Sequence, residues 1–178
     1  MALEQSRHER SLPPHGRAGK INLSMTERKI MIRQAAGADE SAIRKCAAEA
    51  YARYVPLIGR KPPPMVADFA EQIAAGQIHV AVDDDNDVQG FIVFYRRNGD
   101  LLLENVAVFP HASGRGIGKA LIAYCEAAAC SQGLGAVRLY TNEKMSENLL
   151  LYPRLGYTEV ERRREDGFNR VYFVKRLA

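Results

Sequence analysis

The stretch Ser113-Gly114-Arg115-Gly116-Ile117-Gly118-Lys119 sets three alternating glycines and two cations between an apolar strand and an amphipathic helix. A helix start presents N–H groups without intrahelical acceptors and carries a partial positive charge. Glycines let main chain come close to a bound anion, and Arg115 and Lys119 add charge at the same place. Phosphate binding is the chemistry expected of this turn, and a flexible entry into a helix is the plainer alternative. Spacing separates the phosphate ligands. A Walker A loop needs Gly, four residues, then Gly-Lys and Ser or Thr. Here Ser113 stands five residues before Gly118, and Ala120 follows Lys119. The dinucleotide fingerprint Gly-x-Gly-x-x-Gly fails as well, because Lys119, Ala120 and Leu121 follow Gly118.

The elements that must hold this turn are legible as periods. Val88 to Tyr95 and Leu101 to Phe109 read as strands joined at Asn98-Gly99, with another strand at Ile78 to Val82 and a turn at Asp83 to Asp87. Ile117, Leu121, Tyr124, Cys125 and Ala128 mark the helix after the turn, which stops at Gly133. Upstream, a short strand at Ile30 to Ile32 precedes a helix capped by Asp39 and ending at Val55-Pro56. A second helix is expected over Met65 to Ala75, with Val66, Phe69, Ala70 and Ile73 on one face. Downstream come a strand at Val137 to Tyr140 and a helix from Ser146, as cap, to Leu155. Two last strands, about Thr158 to Arg163 and Asn169 to Lys175, flank Asp166-Gly167. The strand–helix crossover after Phe109 implies at least one parallel pair in a mixed α/β sheet.

With 178 residues, 47% hydrophobic and 26% charged, the chain reads as one soluble domain. No apolar run approaches the ~20 residues of a membrane span, and no signal peptide is visible, so no export and no membrane partner are expected. Cys46, Cys125 and Cys130 form no Cys-x-x-Cys pair and no zinc-finger spacing. Reduced thiols in the cytoplasm, and no metal, follow as expectations. The net charge of +4 is concentrated at the front, where residues 1–29 hold six Lys/Arg against three Glu. No basic stripe with interleaved aromatics follows, so nucleic acid is not expected as a partner. Residues 1–28 are polar and lack apolar periodicity, which predicts a disordered extension ahead of a single domain over 30–178.

Val106-Ala107-Val108-Phe109-Pro110, followed by Gly114 to Leu121, resembles motif A of the GNAT superfamily of acyl-CoA-dependent N-acetyltransferases. Gly116 and Gly118 match its glycine positions, and Ser113 stands where Gln or Arg is usual. The resemblance implies that this departure weakens one contact to the pyrophosphate but leaves the main-chain cradle, which needs no side chain. Asn148, Tyr152 and Leu155-Gly156-Tyr157 resemble the family's motif B. The resemblance spans about residues 30–178. It implies a central, mixed, mostly antiparallel twisted sheet of six to seven strands flanked by about four helices.

It also implies acetyl-CoA as co-substrate. The main chain of Val106, Ala107 and Val108 would hold the pantetheine arm. Ser113, Gly114, Arg115, Gly116, Ile117, Gly118 and Lys119 would hold the pyrophosphate, and Asn148 would make a further contact. Glu104 stands where relatives often carry a base, although a surface strand carboxylate is the alternative. Tyr152 matches the residue that protonates the leaving thiolate, although a half-buried core aromatic is the alternative. Pro153 directly after it either distorts the short helix or leaves Tyr152 in the last regular turn. Tyr51, Tyr54, Arg60 and Met65 flank the loop that in this family walls the acceptor pocket. The activity implied is acetyl transfer by direct attack of a primary amine of a small molecule or protein. The alternative is an acyl-CoA-binding module without turnover. A homodimer is a further expectation from the family.

Overall fold

The computed structural model describes residues 29–178, so the expected extension over 1–28 lies outside the described residues. Seven strands form one sheet: β1 Met31–Gln34, β2 Ile78–Val82, β3 Val88–Arg97, β4 Asp100–Val108, β5 Ala136–Asn142, β6 Thr158–Glu165 and β7 Phe168–Arg176. Their order is β1-β2-β3-β4-β5-β7-β6. All neighbours are antiparallel except β4 and β5, which run parallel because α4 makes the crossover between them. The helices are α1 Glu40–Tyr51, α2 Val55–Ile58, α3 Phe69–Ala74, α4 Ile117–Ser131 and α5 Ser146–Arg154. Four of them exceed one turn, and α2 is a single turn. No helix among the described residues is long and apolar enough to cross a membrane.

The sheet alternates as its sequence does. Along β4, Leu101, Leu103, Asn105 and Ala107 are buried, and the intervening residues are half-buried. Ile117, Leu121 and Cys125 of α4 are buried in one core with Val80, Phe91 and Ile92. At the β3–β4 hairpin both Asn98 (φ 52°) and Gly99 (φ 84°) lie in the left-handed region, as a two-residue turn of this kind requires.

Several local expectations are corrected. Asp39 stands at the start of α1, but its carboxylate accepts from Arg33 (2.8 and 3.0 Å) and from the Ala36 N–H (2.8 Å), so it ties β1 to the loop before the helix. Pro56 does not end the helical run. It sits in the first turn of α2, where its missing N–H costs nothing, and Gly59 (φ 86°) ends that turn. The second helix begins at Phe69, not Met65, because Pro63–Met65 form a 3-10 turn and Asp68 caps the Glu71 N–H at 3.0 Å. Val66 and Ala70 are consequently exposed while Phe69 is fully buried. Ser146 likewise makes no cap bond: Met145 occupies the cap position of α5.

Candidate functional site

The site begins with an irregularity in β4. β3 and β4 stay in register from Gly90 opposite Val108 to Val93 opposite Asn105, then slip so that Phe94 faces Leu103. Glu104 is the unmatched residue, and a bulge of this kind re-aims a side chain and bends the strand. At the far end of the same pairing Gly90 faces Val108, and a Cβ there would lie 2.7 Å from the Ala107 carbonyl oxygen. On its other edge β4 pairs with β5 only from Leu101 to Leu103, against Val137 to Leu139. Beyond those residues the two strands part. A cavity of about 440 Å³ opens where they separate, lined by Leu103 to Val106 of β4, Tyr140 to Asn142 of β5 and residues of α1, α3, α5 and β7. Main-chain groups of β4 past Leu103 have no ladder partner on the β5 side, and such groups need partners from elsewhere.

Glu104 lines this cavity. Its carboxylate accepts from Gln72 Nε2 at 2.6 Å and from the Tyr95 hydroxyl at 3.4 Å. Next to it, the Tyr51 hydroxyl donates to Asn105 Oδ1 (2.7 Å) and lies 3.1 Å from the Val106 carbonyl oxygen, which ties α1 to β4 just past the bulge. Burial pushes the Tyr51 phenol well above its usual pKa, so it stays a donor. Asn105 is 5% exposed, and its Nδ2 has no hydrogen-bond partner among the described residues.

Tyr152 also lines the cavity. It is 4% exposed and packs edge-on against Tyr157 (5.7 Å) and beside Phe173 (5.6 Å). Its hydroxyl bonds to no other described residue. Burial, reinforced by nearby Tyr54, raises its pKa, so the phenol is protonated at any ordinary pH. Of the two alternatives raised by Pro153, the structure has the second: α5 runs on to Arg154, and Tyr152 lies in its last turn. The Tyr152 carbonyl accepts from Leu155 and Tyr157 (both 3.0 Å), and Gly156 (φ 90°) closes the helix. Asn148, one turn earlier, lines the cavity and donates from Nδ2 to Thr141 Oγ1 at 3.0 Å.

The glycine turn follows the end of β4 after a short 3-10 turn at Pro110–Ala112. Gly114 and Gly116 both have φ of 78°, and Gly116 is the cap residue of α4. The first main-chain bond of the helix runs from Ala120 N–H to Gly116 O (3.0 Å), so the amides of Ile117, Gly118 and Lys119 have no intrahelical acceptor. Gly114 to Gly116 and Lys119 are exposed, and Ser113 Oγ donates to the Phe109 carbonyl (3.2 Å). A Cβ on Gly118 would lie 3.7 Å from Val108 Cγ2, so the helix start abuts the end of β4. These open amides suit a phosphate group, and the parted β4 edge leading up to them suits an extended polar arm. The residues present therefore fit a coenzyme A molecule. Among the described residues, no group of three or more His, Cys, Asp or Glu side chains is arranged to hold a metal ion.

The expected acceptor residues divide. Tyr51 lines the cavity, but its hydroxyl is committed to β4. Tyr54 does not line it: it is buried, and its hydroxyl accepts from Arg53 at 2.7 Å. Arg60 lies over the Phe168 ring at 3.6 Å and donates to the Asp166 carbonyl, so it clamps the β6–β7 turn while Phe168, not Arg60, faces the cavity. Met65 is bypassed, and its neighbours Pro64 and Val66 form the wall. Sequence reasoning passed over Gln72, Tyr95, Asn105, Tyr140 and Arg170. Only Asn105 carried a signal, a polar residue at a core parity of an otherwise apolar strand.

Residues 74–159 match the family model described as an acetyltransferase (GNAT) domain. No curated protein sequence matches the chain. Among solved structures, PaiA N-acetyltransferase from Thermoplasma acidophilum in complex with coenzyme A superposes with a TM-score of 0.70 at 19% identity, over 84% of this chain and 99% of that one. The ribosomal-protein-S18-alanine N-acetyltransferase of Escherichia coli gives 0.66 at 18% identity, over 83% and 94%. Nourseothricin acetyltransferase is 27% identical with a TM-score of 0.52, over 56% of this chain and 64% of its own length, which is less than two thirds. Residues 74–159 thus match a GNAT acetyltransferase domain, and the seven-stranded fold that carries them is that of the GNAT acetyltransferases.

Proposed function

We propose that the protein transfers an acetyl group from acetyl-CoA to a primary amine by direct attack. The observation that carries this reading is the continuity of the site along β4. The cavity with Glu104 and Tyr152 lies where β4 parts from β5, and the open amides of Ile117 to Lys119 lie just past the end of the same strand. The turn holds the pyrophosphate by main chain and by Lys119. The parted edge of β4 holds the pantetheine arm, and Asn148 borders the same path. Holding the donor far from its reacting carbonyl orients the thioester for attack.

An amine attacks only as the free base, and Glu104, fixed by Gln72 and Tyr95, is positioned to take its proton directly or through a water. The new C–N bond forms as the C–S bond breaks. Tyr152 supplies a proton to the departing sulfur. Burial keeps its phenol protonated and also makes it a weaker acid, so transfer must follow the build-up of charge on sulfur in a site where a thiolate is poorly solvated. A binding module without turnover would have no need of the Glu104 and Tyr152 pair in one cavity.

The test is thermal shift with acetyl-CoA, coenzyme A and ATP, followed by thiol release against a panel of small amines and peptide N-termini. Stabilisation by acetyl-CoA and coenzyme A with amine-dependent thiol release is expected. Stabilisation by ATP alone would sink the coenzyme reading. Acetyl-CoA binding without thiol release on any amine would favour the module without turnover.

A further inference from the structure

α3 is fixed before it reaches the cavity. Phe69 is fully buried and meets the Phe91 ring of β3 edge-on at 5.5 Å, and Asp68 caps the Glu71 N–H. Gln72 stands three residues after Phe69 on the same side of the helix, and this brings its amide to Glu104. Of the two donors to that carboxylate, Gln72 Nε2 is close at 2.6 Å. The Tyr95 hydroxyl, at 3.4 Å, lies beyond the usual range of an O–H···O bond. Glu104 is unmatched on β3, so strand pairing does little to fix where its side chain points. The Gln72 amide is therefore the main restraint on the carboxylate.

That restraint has a cost. A carboxylate only accepts, so the amide must turn its nitrogen toward Glu104. Oε1 is then left buried with no hydrogen-bond partner among the described residues. An orphaned buried acceptor lowers stability, and an apolar side chain of the same length would remove that penalty. Stability alone thus gives no reason for an amide at this place. Its chemistry gives one: a neutral donor holds a carboxylate without the opposite charge of a Lys or Arg, which would make any carboxylate a poorer base.

We infer, resting on the acetyl-transfer reading with Glu104 as base, that Gln72 is a positioning residue for the reaction. It aims the Glu104 carboxylate at the amine, at some expense to the stability of the fold. The experiment compares the full chain with Gln72→Met, Glu104→Gln and the doubly substituted protein. It uses saturating acetyl-CoA and butylamine or glycinamide, whichever releases thiol faster. Met keeps the length of the side chain and removes both the donor and the orphaned oxygen. In Gln72→Met, kcat should fall by about tenfold, because a loosened base is misplaced for attack. The Kd for coenzyme A should stay at the parental value, and the melting temperature should hold or rise. In the Glu104→Gln background the same substitution should change kcat by less than about twofold, since a residue acting through Glu104 has nothing left to aim. A residue that only supports the fold would lower kcat by the same factor in both backgrounds. Parental kcat in Gln72→Met, or equal losses in the two backgrounds, would overturn the positioning role while leaving acetyl transfer standing. A lower melting temperature in Gln72→Met would overturn its cost to stability. Parental kcat in Glu104→Gln would remove the base itself, and acetyl-CoA binding without thiol release on any amine would overturn acetyl transfer.

Discussion

The two ends of the site are built on opposite plans. The end proposed to hold the anion is one contiguous stretch, Ser113 to Lys119, exposed except at Ile117 and Gly118 and offering main-chain N–H groups released by a helix start beside two left-handed glycines. The cavity end is assembled from α1, α3, β4, β5, α5 and β7, and most of its polar side chains, buried or half-buried, hold one another. A main-chain cradle, as proposed here, tolerates changes in the side chains around it, such as Ser113. A side-chain cavity tolerates them less, because deleting a bonded group such as the Tyr51 hydroxyl leaves a buried partner unpaired. Substitutions at the two ends should therefore separate turnover from coenzyme affinity.

The largest effect should come from Tyr152→Phe. Removing the proposed acid should lower kcat by about 10²-fold or more. The ring keeps its packing against Tyr157 and Phe173, and the hydroxyl has no partner among the described residues, so the melting temperature and coenzyme affinity should scarcely move. Steady-state rates beside calorimetric titration with coenzyme A check this. Parental turnover in the variant would remove the acid role, and a matching loss of affinity would break the separation of the two ends.

Tyr51→Phe comes next and probes how the cavity is held. It deprives Asn105 Oδ1 of its donor in a buried place, at a cost of about 1–3 kcal/mol in urea unfolding. Because this bond fixes β4 beside the Glu104 bulge, kcat should fall as well, whereas a simple acceptor contact would raise only the KM for the amine. An unchanged urea midpoint would show that the bond between α1 and β4 holds nothing.

The same contrast explains what the sequence could disclose. The turn is local, so glycine spacing and a helix period sufficed, as did Asn98-Gly99 for the hairpin and alternation for β4. Glu104 and Tyr152 were reached through motif positions, and the structure brings both to one cavity. Gln72 was invisible, because nothing local links it to Glu104, 32 residues away. Tyr54 and Arg60 were drawn in by their nearness to a loop, but a cation over each ring, Arg53 on Tyr54 and Arg60 on Phe168, takes them to other duties. The start of α3 was misplaced for a related reason. An apolar period over Met65 to Ile73 looks helical, yet the run of prolines at 62–64 and the Asp68 cap decide where the first turn forms.

The smallest effect should be at the anion end, with Gly116→Ala. Gly116 has φ of 78°, and a methyl group there meets nothing within 4 Å, so the penalty is conformational and not steric crowding by neighbours. Holding an L residue in the left-handed region costs about 1–2 kcal/mol. Some of this will appear as a lower melting temperature. The rest will appear as relaxation of the cap, which turns the Ile117 to Lys119 amides away from the anion. The Kd for coenzyme A should rise by about 3–10-fold, equivalent to part of that strain. At saturating acetyl-CoA, kcat should stay close to that of the parent, because Glu104 and Tyr152 are held by other elements. Gly116→Asn makes the comparison sharper: Asn tolerates the left-handed region better than Ala and should recover part of the affinity. If Ala and Asn were equally damaging, the loss would lie in the side chain obstructing the anion and not in the backbone conformation. If kcat fell in step with affinity, the turn would be acting on the reacting end and the two plans would not be separable.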